Sequence, residues 1–71
     1  MKSNDSIRRN MAVFSMSVVS KLTELSPRQI RYYETHELIT PERTEGNKRL
    51  FSMNDLDRLL EIKSFLEKGF N

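Results

Sequence analysis

The sequence predicts a mostly helical domain that carries one small β-hairpin. Apolar residues recur at helical spacing in three segments, and a serine stands before each segment in a position to cap a helix. Pro41 interrupts the helical pattern, and two short extended runs after it flank a Gly-Asn turn. These signals order the chain as helix, turn, helix, hairpin and helix.

Length and composition restrict the classes of protein that the chain can belong to. Its 71 residues suffice for one small domain with a thin core. The absence of cysteine excludes disulfides and thiolate metal sites, and His36 alone cannot ligate zinc or haem, so we expect no cofactor and no metal-sensing role. No apolar run approaches the roughly 18 residues that span a bilayer, so we expect a cytoplasmic protein without a membrane partner.

Residues 1–13 form a polar arm in this interpretation, and residues 14–71 form the domain. In the arm, Ile7, Met11 and Phe14 recur at helical spacing and predict a short amphipathic helix. They are the apolar stripe left without a partner, which makes them a candidate for a weak dimer interface. The arm's basic residues, Lys2, Arg8 and Arg9, are candidates for phosphate contacts, although terminal charges are usually just solvated.

The first helix of the domain is predicted to begin after Ser15 and to end near Thr23. Met16, Val19 and Leu22 fall on one of its faces.

The next helix is predicted to begin at Pro27. Ser26 and Gln29 have the spacing of a capping box, and proline is favoured at the first helical position. Residues 23–26 then form a tight turn, with Leu25 filling the space beneath it. Two short helices joined by such a turn are typical of a helix-turn-helix.

A β-hairpin is predicted between residues 38–43 and 48–51. The intervening residues 44–47 contain Gly46 and Asn47, which tolerate the positive φ that hairpin turns require. A hairpin that follows a helix-turn-helix corresponds to a wing, so the predicted fold is a winged helix-turn-helix.

The last helix is predicted to begin after Ser52, with Asp55 favourably placed near its N-terminus. Gly69 is predicted to end it as a left-handed cap. The methionines of the chain are interpreted as core residues that fill gaps. The apolar face of this helix should comprise Leu56, Leu59, Leu60, Ile62, Phe65 and Leu66.

The helix that begins at Pro27 combines cationic and aromatic side chains on one face. Arginine matches the O6 and N7 acceptors of guanine, and a tyrosine hydroxyl can donate to a phosphate oxygen. Ile30 and Tyr33 point away from this face, toward the core. An ordinary solvated helix face explains the pattern equally well from periodicity alone. The residues of the face are Arg28, Arg31, Tyr32 and Thr35.

The wing adds three basic residues, Arg43, Lys48 and Arg49, that can reach an adjacent groove or phosphates. Solvated loop charges remain the alternative for the wing taken by itself. The net charge of +2 adds little to the case for nucleic acid, so the placement of the charges carries it.

Three segments together resemble the MerR family of transcription regulators: RQIRYYE at residues 28–34, GNKRLFS at 46–52 and DLDRLLEIKSFLEKGF at 55–70. The resemblance covers residues 14–70. IRRNMAVFSM at residues 7–16 and RTEGNKRLFS in the wing are similar to the nitrogen-regulatory branch of the family, which represses the glutamine synthetase operon.

This resemblance implies a winged helix-turn-helix that binds an inverted repeat in double-stranded DNA as a homodimer. By position, Arg28 and Arg31 would read the major groove, Tyr32 would clamp a phosphate, and Arg49 would contact the backbone or minor groove from the wing. It also implies feedback-inhibited glutamine synthetase as a co-regulator that acts through a C-terminal region. The complete set of candidate DNA-binding residues is Ser15, Arg28, Gln29, Arg31, Tyr32, Thr35, Arg43, Asn47, Lys48 and Arg49.

The sequence departs from the family pattern in three places. Glu37 stands where glycine is common, Lys48 stands where an aromatic residue is usual, and family members continue into further helices after this point. Two alternative functions stay open, a helical protein-binding adaptor and an excisionase-like architectural DNA-binding protein. An enzyme is not expected, because the chain lacks a phosphate-binding glycine loop and a nucleophile motif.

Overall fold

The computed structural model describes residues 2–69, and in this range the predicted winged helix-turn-helix is confirmed. The described chain contains four helices and a small three-stranded sheet. In chain order the elements are α1 (Lys2–Asn10), β1 (Phe14–Ser15), α2 (Met16–Thr23), α3 (Pro27–Thr35), β2 (Glu42–Arg43), β3 (Arg49–Phe51) and α4 (Met53–Gly69).

Helix α2 begins and ends where the sequence predicts. The Ser15 hydroxyl caps it by accepting a hydrogen bond from the Val18 N–H at 3.3 Å. Of the three residues on its apolar face, Val19 is buried but Leu22 is 59% exposed. Thr23 is buried instead, and its hydroxyl donates to the Val19 carbonyl at 2.8 Å. This local hydrogen bond satisfies the hydroxyl and lets a polar residue take a core position.

The turn and the start of α3 follow the predicted capping box. The Ser26 hydroxyl accepts from the Gln29 N–H at 3.1 Å, and the Gln29 side-chain oxygen accepts from the Ser26 N–H at 2.9 Å. Leu25 is buried beneath the turn, as predicted. Ile30 and Tyr33 are also buried, so the opposite face of α3 is directed to solvent.

The sheet is antiparallel with the order β1-β3-β2, and its third strand was not predicted. The hairpin strands β2 and β3 are shorter than the predicted runs. Strand β1 joins them by pairing Phe14 with Phe51, which ties the wing to the residues just before α2. In the turn Asn47 takes the positive φ, of 65°, and Gly46 does not.

Helix α4 begins with a reciprocal cap in which Ser52 and Asp55 bond to each other's backbone N–H. Only part of the predicted apolar face is inside. Leu56 and Leu59 are buried and Ile62 is half-buried. The other residues of this face, Leu60, Phe65 and Leu66, are exposed.

Phe65 and Leu66 are exposed because α4 extends past the small core, whereas Leu60 faces solvent between the buried Leu59 and the half-buried Ile62. The predicted left-handed cap is wrong: Gly69 is helical. Residues 70 and 71 lie outside the described residues.

The core is a single cluster formed by residues of α2, α3, β3 and α4 and of the connections between them. The prediction for the methionines is only partly right, since Met16 packs against this cluster whereas Met11 and Met53 are exposed. Met1 lies outside the described residues. The buried apolar residues are Val19, Leu25, Ile30, Tyr33, Ile39, Phe51, Leu56 and Leu59.

Helix α1 packs against the N-terminal half of α4 through polar contacts. Arg9 forms an ion pair with Asp57 and donates to the Asn54 side chain at 3.2 Å. Phe14 packs against the core, whereas Ile7 is exposed. The predicted apolar stripe is therefore not one continuous free patch.

No helix in the described part of the chain is long and apolar enough to cross a membrane.

Candidate nucleic-acid interface

The solvent-facing side of α3 presents the side chains that the sequence groups together. Arg28 and Arg31 are both exposed, and neither forms an ion pair with another described residue. Their guanidinium donors are therefore free to meet an external acceptor. Thr35 is exposed on the next turn, and its hydroxyl donates to the Arg31 carbonyl at 3.0 Å.

Tyr32 lies on the same face with its ring held between two neighbours. Its centroid is 6.0 Å from that of the buried Tyr33 in an edge-to-face arrangement and 4.3 Å from the His36 ring. Edge-to-face contact is a favoured geometry for aromatic pairs. The side chain nevertheless stays 59% exposed, so its hydroxyl can serve an outside partner.

The wing is attached to α3 by one carboxylate. Glu34 Oε2 accepts from Arg43 Nη2 at 2.9 Å, and Glu34 Oε1 accepts from Arg49 Nε at 2.5 Å. Arg43 Nη1 also donates to the Asn47 carbonyl at 3.4 Å, across the hairpin turn. Sequence reasoning assigned Glu34 no role, because it lies 15 positions from Arg49 and no local pattern links the two.

This arrangement shifts the protonation of Glu34. Burial raises the pKa of its carboxyl, but hydrogen bonds from Arg49 and Arg43, together with their positive charges, lower it more. The net pKa lies below the ordinary value of 4.5, so the carboxylate is ionised near neutral pH.

The remaining wing candidates lie in an ordered turn. The Thr44 N–H donates to the Lys48 carbonyl at 2.8 Å, and the Asn47 N–H donates to the Thr44 carbonyl at 2.9 Å. Lys48 is exposed and makes no ion pair with any described residue. The turn therefore presents a free ammonium group at the end of a well-defined hairpin.

Two further candidates, Ser15 and Gln29, are exposed but already act as helix caps. Both lie at helix N-termini, where backbone N–H groups favour anions. Arg9 from the arm is engaged by Asp57 on α4, so it is not a free cation of the kind that the sequence suggests.

The site thus comprises an exposed α3 face with two unpaired arginines and a wing tethered beside it. A comparison with protein families matches residues 14–71 to the family described as MerR HTH family regulatory protein. The chain belongs to the MerR family.

Individual MerR-type relatives agree with this assignment. The chain is 58% identical over 64 residues to the HTH-type transcriptional regulator GlnR of Bacillus anthracis, which covers 90% of this chain and 50% of that protein. It is 42% identical over 69 residues to the HTH-type transcriptional regulator TnrA of Bacillus subtilis, which covers 97% of this chain and 63% of that protein. The chain spans about half the length of the GlnR relatives it matches.

A solved MerR-family structure has the same fold. The crystal structure of a transcriptional regulator of the MerR family from Bacillus cereus superposes with a TM-score of 0.73 at 34% identity, over 82% of this chain and 44% of that chain. The predicted family and branch are confirmed. The family and its named relatives are HTH regulators, which also bears out the prediction that the chain is a DNA-binding regulatory domain and not an enzyme.

In this MerR domain an apolar groove of about 810 Å³ borders the candidate interface. It lies between α3 and α4, with Tyr32 and Arg28 on one side and Phe65 and Leu66 on the other. Leu38 adds to its floor. The groove results from the exposed distal half of α4, a feature that periodicity alone could not distinguish from a buried face.

Proposed function

We propose that this domain binds a palindromic operator as one half of a homodimer and represses glutamine synthetase and other nitrogen-assimilation genes. The observation that carries the proposal is the exposed α3 face with Arg28, Arg31 and Tyr32, where neither guanidinium group forms an ion pair with another described residue. The resemblance to the nitrogen-regulatory branch supports the choice of target genes. The 58% identity to GlnR supports the same choice.

Helix α3 enters the major groove in this proposal. Arg28 and Arg31 each offer paired N–H donors to guanine O6 and N7, while the Tyr32 hydroxyl donates to a phosphate. Thr35, one turn further along, can approach a base or the backbone. The base contacts supply sequence preference and the phosphate contact supplies register.

The wing lies alongside the helix and contacts the backbone or the adjacent minor groove. Arg43, Lys48 and Arg49 provide the positive charge for this contact, and Asn47 contributes a neutral amide. Ser15 and Gln29 place helix N-termini near phosphates, which attract the partial positive charge found there. Residues 14–71 act as the reading unit, and residues 1–13 act as an accessory arm.

Two copies related by a two-fold axis match the two halves of an inverted repeat, and their centres are separated by about one helical turn or a multiple of it, on the order of 34 Å. In the longer protein, we propose that feedback-inhibited glutamine synthetase acts on the regulator through the C-terminal region. No cofactor takes part in DNA binding by the domain, and its compartment is the cytoplasm.

Fluorescence anisotropy tests the proposal directly. The domain is titrated against an inverted repeat of roughly 20 base pairs from a glutamine synthetase promoter and against a shuffled duplex, at two salt concentrations. We expect tighter binding to the repeat, two protomers per duplex, and a log-log salt slope of about −0.9 per neutralised phosphate.

Other outcomes would redirect the assignment. Equal binding to both duplexes would leave a DNA-binding domain without this operator. Cooperative loading onto tandem sites would favour the architectural role, and no binding to either duplex would favour the protein-binding adaptor.

A further inference from the structure

Glu34 holds both strands of the wing at one rung of the hairpin. Arg43 on β2 and Arg49 on β3 are cross-strand partners, so their side chains leave the same face of the sheet. The two carboxylate oxygens of Glu34 each accept from a different one of these arginines. One side chain of α3 thereby sets the position of both guanidinium groups.

The ion pairs of Glu34 with Arg43 and Arg49, called the clamp below, lie directly beside the exposed face of α3. Glu34 follows Arg31 by three residues on α3. The wing arginines are therefore held in a fixed position relative to Arg28 and Arg31, which belong to the same helix. The Glu34 side chain is 21% exposed and that of Arg49 23% exposed, so solvent screens this pair only partly.

The clamp leaves several N–H donors of the two arginines unused. A guanidinium group has five N–H donors in a rigid fork. Glu34 takes one from Arg49, and Glu34 and the Asn47 carbonyl together take two from Arg43. The remaining donors can contact phosphates while the ion pairs persist, so the clamped arginines stay competent to bind.

We propose that Glu34 is a positioning residue that determines DNA specificity by aiming the wing arginines, and that its negative charge also opposes indiscriminate phosphate binding. This inference rests on the proposed function. An unclamped Arg43 or Arg49 would swing freely and would contact phosphates of any sequence, because phosphate contacts carry no base information. A clamped one contacts phosphates only in the register that α3 reads.

The test compares Glu34→Gln with Glu45→Gln by anisotropy on the operator and on a shuffled duplex. Both substitutions remove one negative charge, but Glu45 lies in the exposed wing turn and pairs with no arginine among the described residues. We expect Glu45→Gln to bind the shuffled duplex about twofold more tightly, since it removes a repulsive charge, and Glu34→Gln to bind it more tightly still, because the released arginines also contact phosphates. Only Glu34→Gln should lower the operator-to-shuffled affinity ratio, by about tenfold, which equals about 1.4 kcal/mol.

Glu34→Asp tests the positioning of the arginines separately from the negative charge of residue 34. It keeps the negative charge but is one methylene shorter, so it cannot reach both arginines in the present geometry. We expect a lower affinity ratio and tighter binding to the shuffled duplex, because an arginine released from the carboxylate contacts phosphates of any sequence. This variant also provides a second measurement should the glutamine variant prove poorly folded by circular dichroism.

A double-mutant cycle shows whether Glu34 acts through Arg49. If it does, Glu34→Gln should reduce the affinity ratio much less in an Arg49→Gln background than in the wild type. Additive losses, or an equal fall of the ratio in Glu34→Gln and Glu45→Gln, would overturn the inference while leaving operator binding by the wild type intact. A wild type that does not discriminate between the duplexes would instead refute the proposed function, and the inference with it.

Discussion

At the scale of single residues, the clamp predicts a particular dependence of stability on pH. The two arginines outweigh burial and lower the pKa of Glu34 below 4.5 in the folded domain. A carboxyl whose pKa is lower in the folded state than in the unfolded state stabilises the fold above its unfolded pKa, and this contribution disappears as the pH falls through the folded value.

We therefore expect Glu34→Gln to lower the free energy of unfolding by a constant amount between pH 7 and about pH 5. Below the ordinary value of 4.5 the difference from the wild type should shrink, and it should vanish once Glu34 is protonated in both states. Urea unfolding of both proteins across this range measures the difference. A difference that stays constant down to pH 2 would contradict the lowered pKa.

The roles assigned on α3 predict two kinds of loss on DNA. Arg28→Ala and Arg31→Ala should each weaken operator binding by about 1 to 3 kcal/mol and relax base preference. Tyr32→Phe should weaken operator and shuffled duplexes nearly alike, because it removes a phosphate contact. Competition anisotropy on single-base operator variants measures both effects. Equal losses on both duplexes for Arg28→Ala would refute its base-reading role.

Residue roles were predictable from the sequence where partners lie close together in the chain. The capping pair of Ser26 and Gln29 is three residues apart, and its spacing alone identified it. The contact between Glu34 and Arg49 depends on how the hairpin folds back onto α3, which spacing does not encode. The candidate list therefore included Arg49 but not the carboxylate that holds it.

At the scale of elements, the end of α3 adopts a Schellman motif with an unfavourable residue at its key position. The Leu38 N–H donates to the Tyr33 carbonyl at 3.0 Å, and the Glu37 N–H donates to the Glu34 carbonyl at 2.9 Å. Glu37 has a φ of 61°, in the left-handed region that glycine adopts most easily. The helix therefore ends at the same place that a glycine would specify, but with strain.

We expect Glu37→Gly to raise the free energy of unfolding by about 0.5 to 1 kcal/mol, since it relieves this strain while the two hydrogen bonds remain. The gain is reduced by the larger entropy of glycine in the unfolded chain. Glu42→Gly in strand β2 is the matched control and should destabilise, because glycine weakens strands. Thermal unfolding of the wild type and the two variants measures these changes. Destabilisation by both substitutions would contradict backbone strain at Glu37.

Elements with strong local signals were predicted closely, and those defined by distant partners were not. Helices α2 and α3 begin at the predicted serine caps. Strand β1 is only two residues long and exists because Phe14 meets Phe51, 37 positions later in the chain. For α4, periodicity gave the apolar face but not how far along the helix the core extends.

At the scale of the whole molecule, the domain depends on a core to which the described residues contribute eight buried apolar side chains. Typical stabilities of about 0.05 to 0.15 kcal/mol per residue give roughly 4 to 10 kcal/mol for a chain of this length. The same core positions α3 and, through β1 and β3, the wing. Loss of one large core side chain should therefore weaken the whole fold and DNA binding together.

Leu59 is the core residue of α4 that tests this expectation, because it is fully buried whereas its neighbour Leu60 is 45% exposed. Leu59→Ala should lower the free energy of unfolding by about 2 to 5 kcal/mol, a large share of the total. Leu60→Ala removes the same atoms from an exposed position of the helix and should change stability by less than about 1 kcal/mol. Urea unfolding measures both. Losses of about 2 kcal/mol or more in both variants would show that Leu60 is covered in solution, which would place a partner on the exposed side of α4 around this residue.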